Sequence, residues 1–278
     1  MEDVLVRENN NGRWGCFGKT QDRDYVSVGG LESGTPSRQA RKYNIVSEIG
    51  EEERNMGRMV PGIYVDPTEE AIAAGVKPDA IHNYPIMLFG DHRMAISNGI
   101  QTLPLFMVCG ATASVQKIMA GMGWVGEKYP YEDDPPGSPD KNWTPRVGGF
   151  MYGTAMFLGG SYRFDTPENV VGVWPVSPKK GELKCLTTYT GEAIPKGTRL
   201  PSPRWKPGNT DPVRTFPIGD AKTAEEIAMR HFEENMDEQY RVSVATAVYN
   251  PSESQWEVFV HNRNGNESES ASIPFFKH

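Results

Sequence analysis

Several groups of residues in this chain have types and spacings suited to chemistry. Gly12-Arg13-Trp14-Gly15-Cys16-Phe17-Gly18-Lys19-Thr20 ends like a phosphate-cradling loop. That loop needs a glycine five positions before Gly18, where Arg13 stands, and it should follow a buried strand rather than Asn9 to Asn11. An ordinary edge strand and turn fits better. Glu132, Asp133 and Asp134 could hold a hard cation or supply a general acid or base, and the plainer alternative is a solvated turn before Pro135 and Pro136. Cys16 has the type of a nucleophile released by self-cleavage, but nothing marks a cleavage point, and a small buried hydrophobe fits better. His82, His92, His231, His261 and His278 have no metal-ligand spacing, so neither a metal nor another cofactor is implied.

The richest segment runs from Asn83-Tyr84-Pro85 through Gly90-Asp91 to Ser97-Asn98-Gly99. It predicts a strand, a tight turn and a second strand that ends in a polar corner ahead of a helix. A helix start of that kind leaves N–H groups that can hold a phosphate, although plain capping uses the same residues.

The elements that must position these residues are mostly strands. Runs rich in Val, Ile, Phe, Tyr and Thr predict strands at Arg13–Lys19, Asp24–Gly29, Met59–Val65, Pro85–Phe89, Met94–Ser97, Val147–Gly153, Met156–Arg163, Val170–Val176, Leu183–Tyr189, Arg241–Tyr249 and Trp256–His261. Thr102–Trp124 predicts a helix broken by Pro104, Gly110 and Gly121. Ala221–Met236 predicts a second, with Thr223 as its cap and Ile227, Ala228 and Phe232 on one face. Paired strands on both sides of a helical segment point to an α+β layered fold with largely antiparallel sheets. The proline- and glycine-rich stretches Pro130–Thr144 and Pro195–Pro217 read as long loops on a single domain spanning 1–278, and the polar end, 262–278, reads as a mobile tail.

Composition narrows the class of partner. The 278 residues are 37% hydrophobic and 10% aromatic, enough for a real core. A formal charge of -7 works against nucleic acid, so a small molecule is the expected partner, with no membrane span and self-association left open. If that molecule is an anion, local arginines and backbone N–H groups must hold it. Three cysteines without a C-x-x-C pair predict reduced thiols and a cytoplasmic setting.

At the Gly90-Asp91 hairpin and its Ser97-Asn98-Gly99 corner the chain resembles the archaeal-type IMP cyclohydrolase family. Other pieces follow in family order. The Gly12-Arg13 strand ending at Gly18 is similar to the family's first strand, and Pro36-Ser37-Arg38 falls where the family has Pro-Asn-Arg. Tyr131-Glu132-Asp133-Asp134 resembles its Tyr-Glu-x-Asp, Thr144-Pro145-Arg146-Val147 its Thr-Pro-Arg-Ile, and Thr187-Thr188-Tyr189 its Ser/Thr-Thr-Tyr. The likeness is discontinuous, from about Gly12 to His261, and rests on the order of individually weak pieces.

The resemblance implies the four-layer αββα sandwich of Ntn hydrolases, without self-processing. It implies closure of the purine ring, from 5-formamidoimidazole-4-carboxamide ribotide to IMP and water, with no cofactor. Its site residues carry over as Arg38 for the substrate anion, Glu132 for acid/base work and Tyr84 for the family's tyrosine. Asn83, Asn98 and Arg146 are further substrate contacts by position. The family has two more arginines in the stretch that here reads Val28 to Thr35, so Arg41, Lys42 or another residue must replace that charge if a phosphate is bound. Two alternatives stand beside the cyclohydrolase: an action on another nucleotide-like or amide substrate, with Cys16 as an N-terminal nucleophile among the options, and a non-catalytic binding protein on the same scaffold.

Overall fold

The computed structural model describes residues 13–32, 40–76, 83–90, 93–97, 99, 101–108, 114–128, 146–162, 170–187, 213–235, 241–263 and 267–274. Numbered in chain order, one sheet takes β1 (Arg13–Lys19), β2 (Val26–Glu32), β10 (Glu182–Thr187), β11 (Arg214–Pro217), β12 (Arg241–Asn250), β13 (Gln255–Asn262) and β14 (Glu267–Pro274). Its order is β11-β10-β1-β2-β12-β13-β14. The second sheet runs in chain order through β3 (Arg41–Val46), β4 (Gly62–Pro67), β5 (Tyr84–Gly90), β6 (Arg93–Ser97), β7 (Arg146–Tyr152), β8 (Ala155–Tyr162) and β9 (Val170–Val176). Every neighbouring pair in both sheets is antiparallel.

Alternation along the strands sorts side chains between two faces. Phe17, Leu31, Val258 and Val260 of the first sheet meet Tyr43, Ile63, Tyr84, Ile96 and Val147 of the second in the core between the sheets. Gly149 permits the close approach there, since a Cβ on it would lie 2.6 Å from the Phe17 ring. The opposite faces carry helices. Helix α5 (Ala224–Asn235) covers Val26, Val28, Val244 and Phe259, while α3 (Thr102–Val108) and α4 (Val115–Lys128) cover Leu88, Ala95, Phe150 and Phe157. Two single-turn helices, α1 (Glu51–Asn55) and α2 (Glu69–Ala73), lie in the connections on either side of β4.

The expected α+β, four-layer αββα sandwich is corrected by these proportions. Among the described residues strand accounts for 53% and helix for 22%, in a β-rich fold of two antiparallel sheets and five helices. Helix length is the physical reason. Among the described residues only α4 and α5, of 14 and 12 residues, exceed two turns, so the helices shield patches of the sheets.

Further corrections concern the ends and edges. The polar segment read as a tail from Asn262 holds β14, whose Glu267–Pro274 pairs residue by residue with β13. Backbone hydrogen bonding needs no apolar alternation, and the Ser and Glu of the first four β14 positions hid the strand. β1 lies inside its sheet between β10 and β2, and is not an edge strand. Cys16 and Cys185 stand opposite each other in β1 and β10, with Cα atoms 4.1 Å apart, and form a disulfide. The thiol argument for a reducing compartment therefore falls away. Among the described residues no helix is long and apolar enough to cross a membrane.

α5 is fixed at its start by a reciprocal cap. The Thr223 hydroxyl accepts from the Glu226 N–H at 3.1 Å, and the Glu226 carboxylate accepts from the Lys222 and Thr223 N–H groups at 2.7 and 3.1 Å. Those bonds hold the Glu226 carboxyl below its usual range. Further along, His231 is fully buried against the sheet, with the Phe216 ring edge-on at 6.1 Å. Burial lowers its pKa from 6.5 to about 4. Between those values the unfolded chain takes up a proton that the folded chain refuses, so stability falls as pH falls through the window. The full effect is about 3 kcal/mol. Urea midpoints taken from pH 7 down to 4 should show this loss, and His231→Leu should flatten it; an unchanged slope in the variant would exclude His231 as the cause.

Candidate functional site

Tyr84 and Arg146, two of the expected site residues that the structure describes, stand by their backbones at one end of the second sheet. Tyr43 of β3 stands opposite Val65 of β4, which stands opposite Tyr84, the first residue of β5. Ser97, the last residue of β6, stands opposite Gly148, and Arg146 opens β7 two residues nearer the same end, opposite Ser161. The first sheet reaches this end through Asn262, whose Oδ1 accepts from the Tyr43 N–H at 2.7 Å and whose Nδ2 donates to the Tyr43 carbonyl at 2.9 Å. Ser243 donates to the same Oδ1 at 2.6 Å and stands opposite Leu31, which in turn stands opposite Arg13. Asn262 thus satisfies the outward backbone groups of edge strand β3 and joins the sheets. Glu269 adds to this by accepting from the Ile45 N–H at 3.3 Å.

Arg38 lies outside the described residues, in the segment that joins the end of β2 to the start of β3. Asn98 is also outside them, directly after Ser97. Glu132 is outside them too, in the segment that leads from α4 to Arg146. The Asn98 position is bounded by Ser97 and Gly99, the Arg38 segment by β2 and β3, and the Glu132 segment by α4 and Arg146. Arg146 is placed by its backbone at the start of β7.

Tyr84 and Asn83 part company. Tyr84 is 4% exposed and belongs to the core between the sheets. Its hydroxyl accepts from Arg41 Nη1 at 3.2 Å, and the guanidinium carbon lies 6.0 Å from the ring centroid. Arg41 opens β3 and is itself 6% exposed. Its Nε is buried and has no hydrogen-bond partner among the described residues. Asn83 turns to the other side, where its Oδ1 accepts from Arg58 Nε at 3.2 Å and its amide donates to the Met56 carbonyl. Arg58 pairs there with Asp66 and packs over the Tyr64 ring at 5.0 Å, and Asn44 Nδ2 also donates to Asp66 at 3.0 Å. Asn83 is therefore an anchor for the start of β5, with both ends of its amide engaged.

The Ser97 corner is closed by its own residues. Ser97 Oγ donates to the Val147 carbonyl at 2.8 Å and accepts from Gln101 at 3.1 Å, while the Thr102 hydroxyl donates to the Gly99 carbonyl at 2.8 Å. These bonds fix the turn between β6 and α3 through side chains that follow the motif as well as Ser97 within it.

Two other features prove separate from this end. Cys16 is fully buried in mid-strand with its sulfur bonded to Cys185, which removes it as a free nucleophile. An open groove of about 480 Å³ lies between the start of α5 and β13–β14, lined by Thr223, Glu225, Glu257, Phe259 and Ser270 among others. None of the expected site residues lines it, and the Glu226 carboxylate already fills the anion position at that helix start.

Arg41 was named in the sequence only as a replacement cation, and its pairing with Tyr84 could not be read there. The 43-residue separation carries no periodic signal, and only the β3–β4–β5 register joins them. No protein-family model and no curated protein matches the chain.

Proposed function

We propose that this chain is an IMP cyclohydrolase-like enzyme that closes the second purine ring, taking 5-formamidoimidazole-4-carboxamide ribotide to IMP and water. One observation carries the proposal. The residues carried over from the family either sit at one end of the two sheets, as Tyr84 and Arg146 do, or belong to segments attached there, as Arg38, Asn98 and Glu132 do. Chain connectivity thus ties the segments that carry these residues to one end of the sheets, as a shared site requires.

The chemistry is a condensation. The carboxamide nitrogen attacks the formyl carbon, an oxyanion develops on the formyl oxygen, and that oxygen leaves as water after two proton transfers. Arg38 contacts the anionic substrate, Glu132 moves protons and Tyr84 presents its phenol to the reacting groups. Asn98 and Arg146 make further contacts that hold the ribotide. In enzyme terms this is a hydrolase of cyclic amidine C–N bonds working in the ring-closing direction. Cytoplasmic residence belongs to the same proposal, since a phosphate monoester does not cross membranes unaided.

A second reading, a changed substrate on the same scaffold, is favoured by Val28 and Leu31. They are buried in β2 within the stretch where the family carries its additional arginines.

The deciding experiment is cyclisation of the formylated ribotide by purified protein, followed by the ultraviolet change as the purine forms. Turnover is expected, with a loss of about tenfold to hundredfold in kcat/KM for Arg38→Ala, as for a lost charge-assisted contact. Absence of turnover from folded protein would reject the cyclohydrolase and leave a changed substrate or a non-catalytic role.

A further inference from the structure

Arg41 is a buried cation without a counter-charge among the described residues. It is 6% exposed, and Nη1 donates to a neutral acceptor, the Tyr84 hydroxyl. Nε is buried with no partner among the described residues, and no described carboxylate lies within ion-pair distance of the guanidinium. The contrast with Arg58 is instructive. Arg58 is equally buried, but Asp66, Asn83 and the Tyr64 ring engage it on the outer face of the same sheet. Burying a guanidinium is unfavourable enough that an opposing charge is normally supplied.

The position selects what supplies it. Arg41 shares the inner face of β3 with Tyr43 and Ile45, which point into the core between the sheets. It also stands at the strand end to which the segments of Arg38, Asn98 and Glu132 connect. The nearby stretch Val28 to Leu31, buried in β2, contributes no cation.

We propose that Arg41 is an oxyanion-binding residue of this site, holding one end of the Tyr84 phenol with Nη1 and presenting Nε to a phosphate. This rests on the functional proposal for the identity of the phosphate's carrier and on geometry alone for the anion contact. Arg41 thereby takes the place of the charge that the chain lacks in β2, and it fixes the reacting phenol relative to the bound anion.

The test uses the full chain and three probes: inorganic phosphate, IMP and inosine. Binding is measured by calorimetry on wild type, Arg41→Gln and Arg41→Lys. In parallel, the ¹⁵N resonance of Arg41 Nε in the wild-type protein is followed as phosphate or IMP is added. IMP affinity should fall about tenfold to hundredfold in Arg41→Gln and less in Arg41→Lys, with inosine binding unchanged and the Nε resonance shifting on titration. Arg41-dependent binding of inorganic phosphate without binding of IMP would keep the anion site and reject the purine nucleotide. Equal IMP affinity in folded wild type and variants would overturn the Arg41 proposal and leave the cyclohydrolase standing. A wild-type Nε resonance that stays still with phosphate and IMP at millimolar concentration would overturn it whether or not the variants fold.

Discussion

Asp66→Ala should lower the unfolding free energy by about 3–5 kcal/mol, toward the lower end because Asp66 keeps some contact with water. The side chain of Arg58 is 2% exposed and that of Asp66 18%. Removing the carboxylate leaves a desolvated guanidinium with, among the described residues, only Asn83 and the Tyr64 ring to stabilise it. The loss comes mostly from the stranded charge. The double variant Arg58→Met with Asp66→Leu should accordingly recover most of it, because two apolar side chains need no counter-ion. Urea midpoints of the three proteins decide the matter. A single variant within 1 kcal/mol of wild type would mean that water or another residue screens Arg58. The pair also bears on the site, since Arg58 holds Asn83, and Asn83 fixes the chain immediately before Tyr84.

Glu132→Gln should reduce kcat for ring closure by about 10²–10⁴-fold, the usual worth of a positioned acid or base. Glutamine keeps the size and most hydrogen bonds of glutamate but can neither take nor give the proton. The folded state should be unaffected, so the urea midpoint serves as the control. The variant should also lose the limb of the pH–rate profile that belongs to the carboxyl group. Full activity with normal folding would remove Glu132 from the mechanism and return the Glu132–Asp134 run to a solvated turn.

Much of the framework was legible from local pattern. β1 and β9 run over the spans that apolar periodicity predicts, β6 and β12 differ from them by one residue at one end, and β5, β7, β8 and β13 by one residue at each end. Thr223 as the cap of α5 was equally visible, because its bond to the Glu226 N–H is local; the return contact from the Glu226 carboxylate came from the structure. The predicted helix over Thr102–Trp124 does divide, as α3 and α4, although Gly121 lies within the second piece, where packing of Ile118 and Met122 on the sheet outweighs the weak helix preference of glycine.

What escaped were elements whose reason to exist lies in a partner. β3 reads as mixed polar and apolar sequence, yet its outward N–H groups are met by Asn262 and Glu269 from the other sheet. β14 shows apolar side chains only at Ala271 and Ile273, near its end, and is paired along its length by β13. β11, of four residues, is held by β10. Among the expected site residues, the resemblance put Tyr84 before the hairpin as the family's tyrosine and Asn83 beside it as a second contact. Successive residues of extended chain face opposite ways, and Arg58 claims Asn83 on the other side.

By itself, then, the sequence determined where the chain would run as strand or capped helix, its acidic balance, and the residues that resemble a purine cyclase. These follow from side-chain type and short-range period. Only the tertiary structure decided that the fold is β-rich, that Cys16 meets Cys185 across 169 residues, and that Arg41 lies against Tyr84 while Asn83 is drawn away. Those outcomes depend on strand register and on which face of a sheet is buried, and both are settled by contacts between residues too far apart in the chain to leave a local mark.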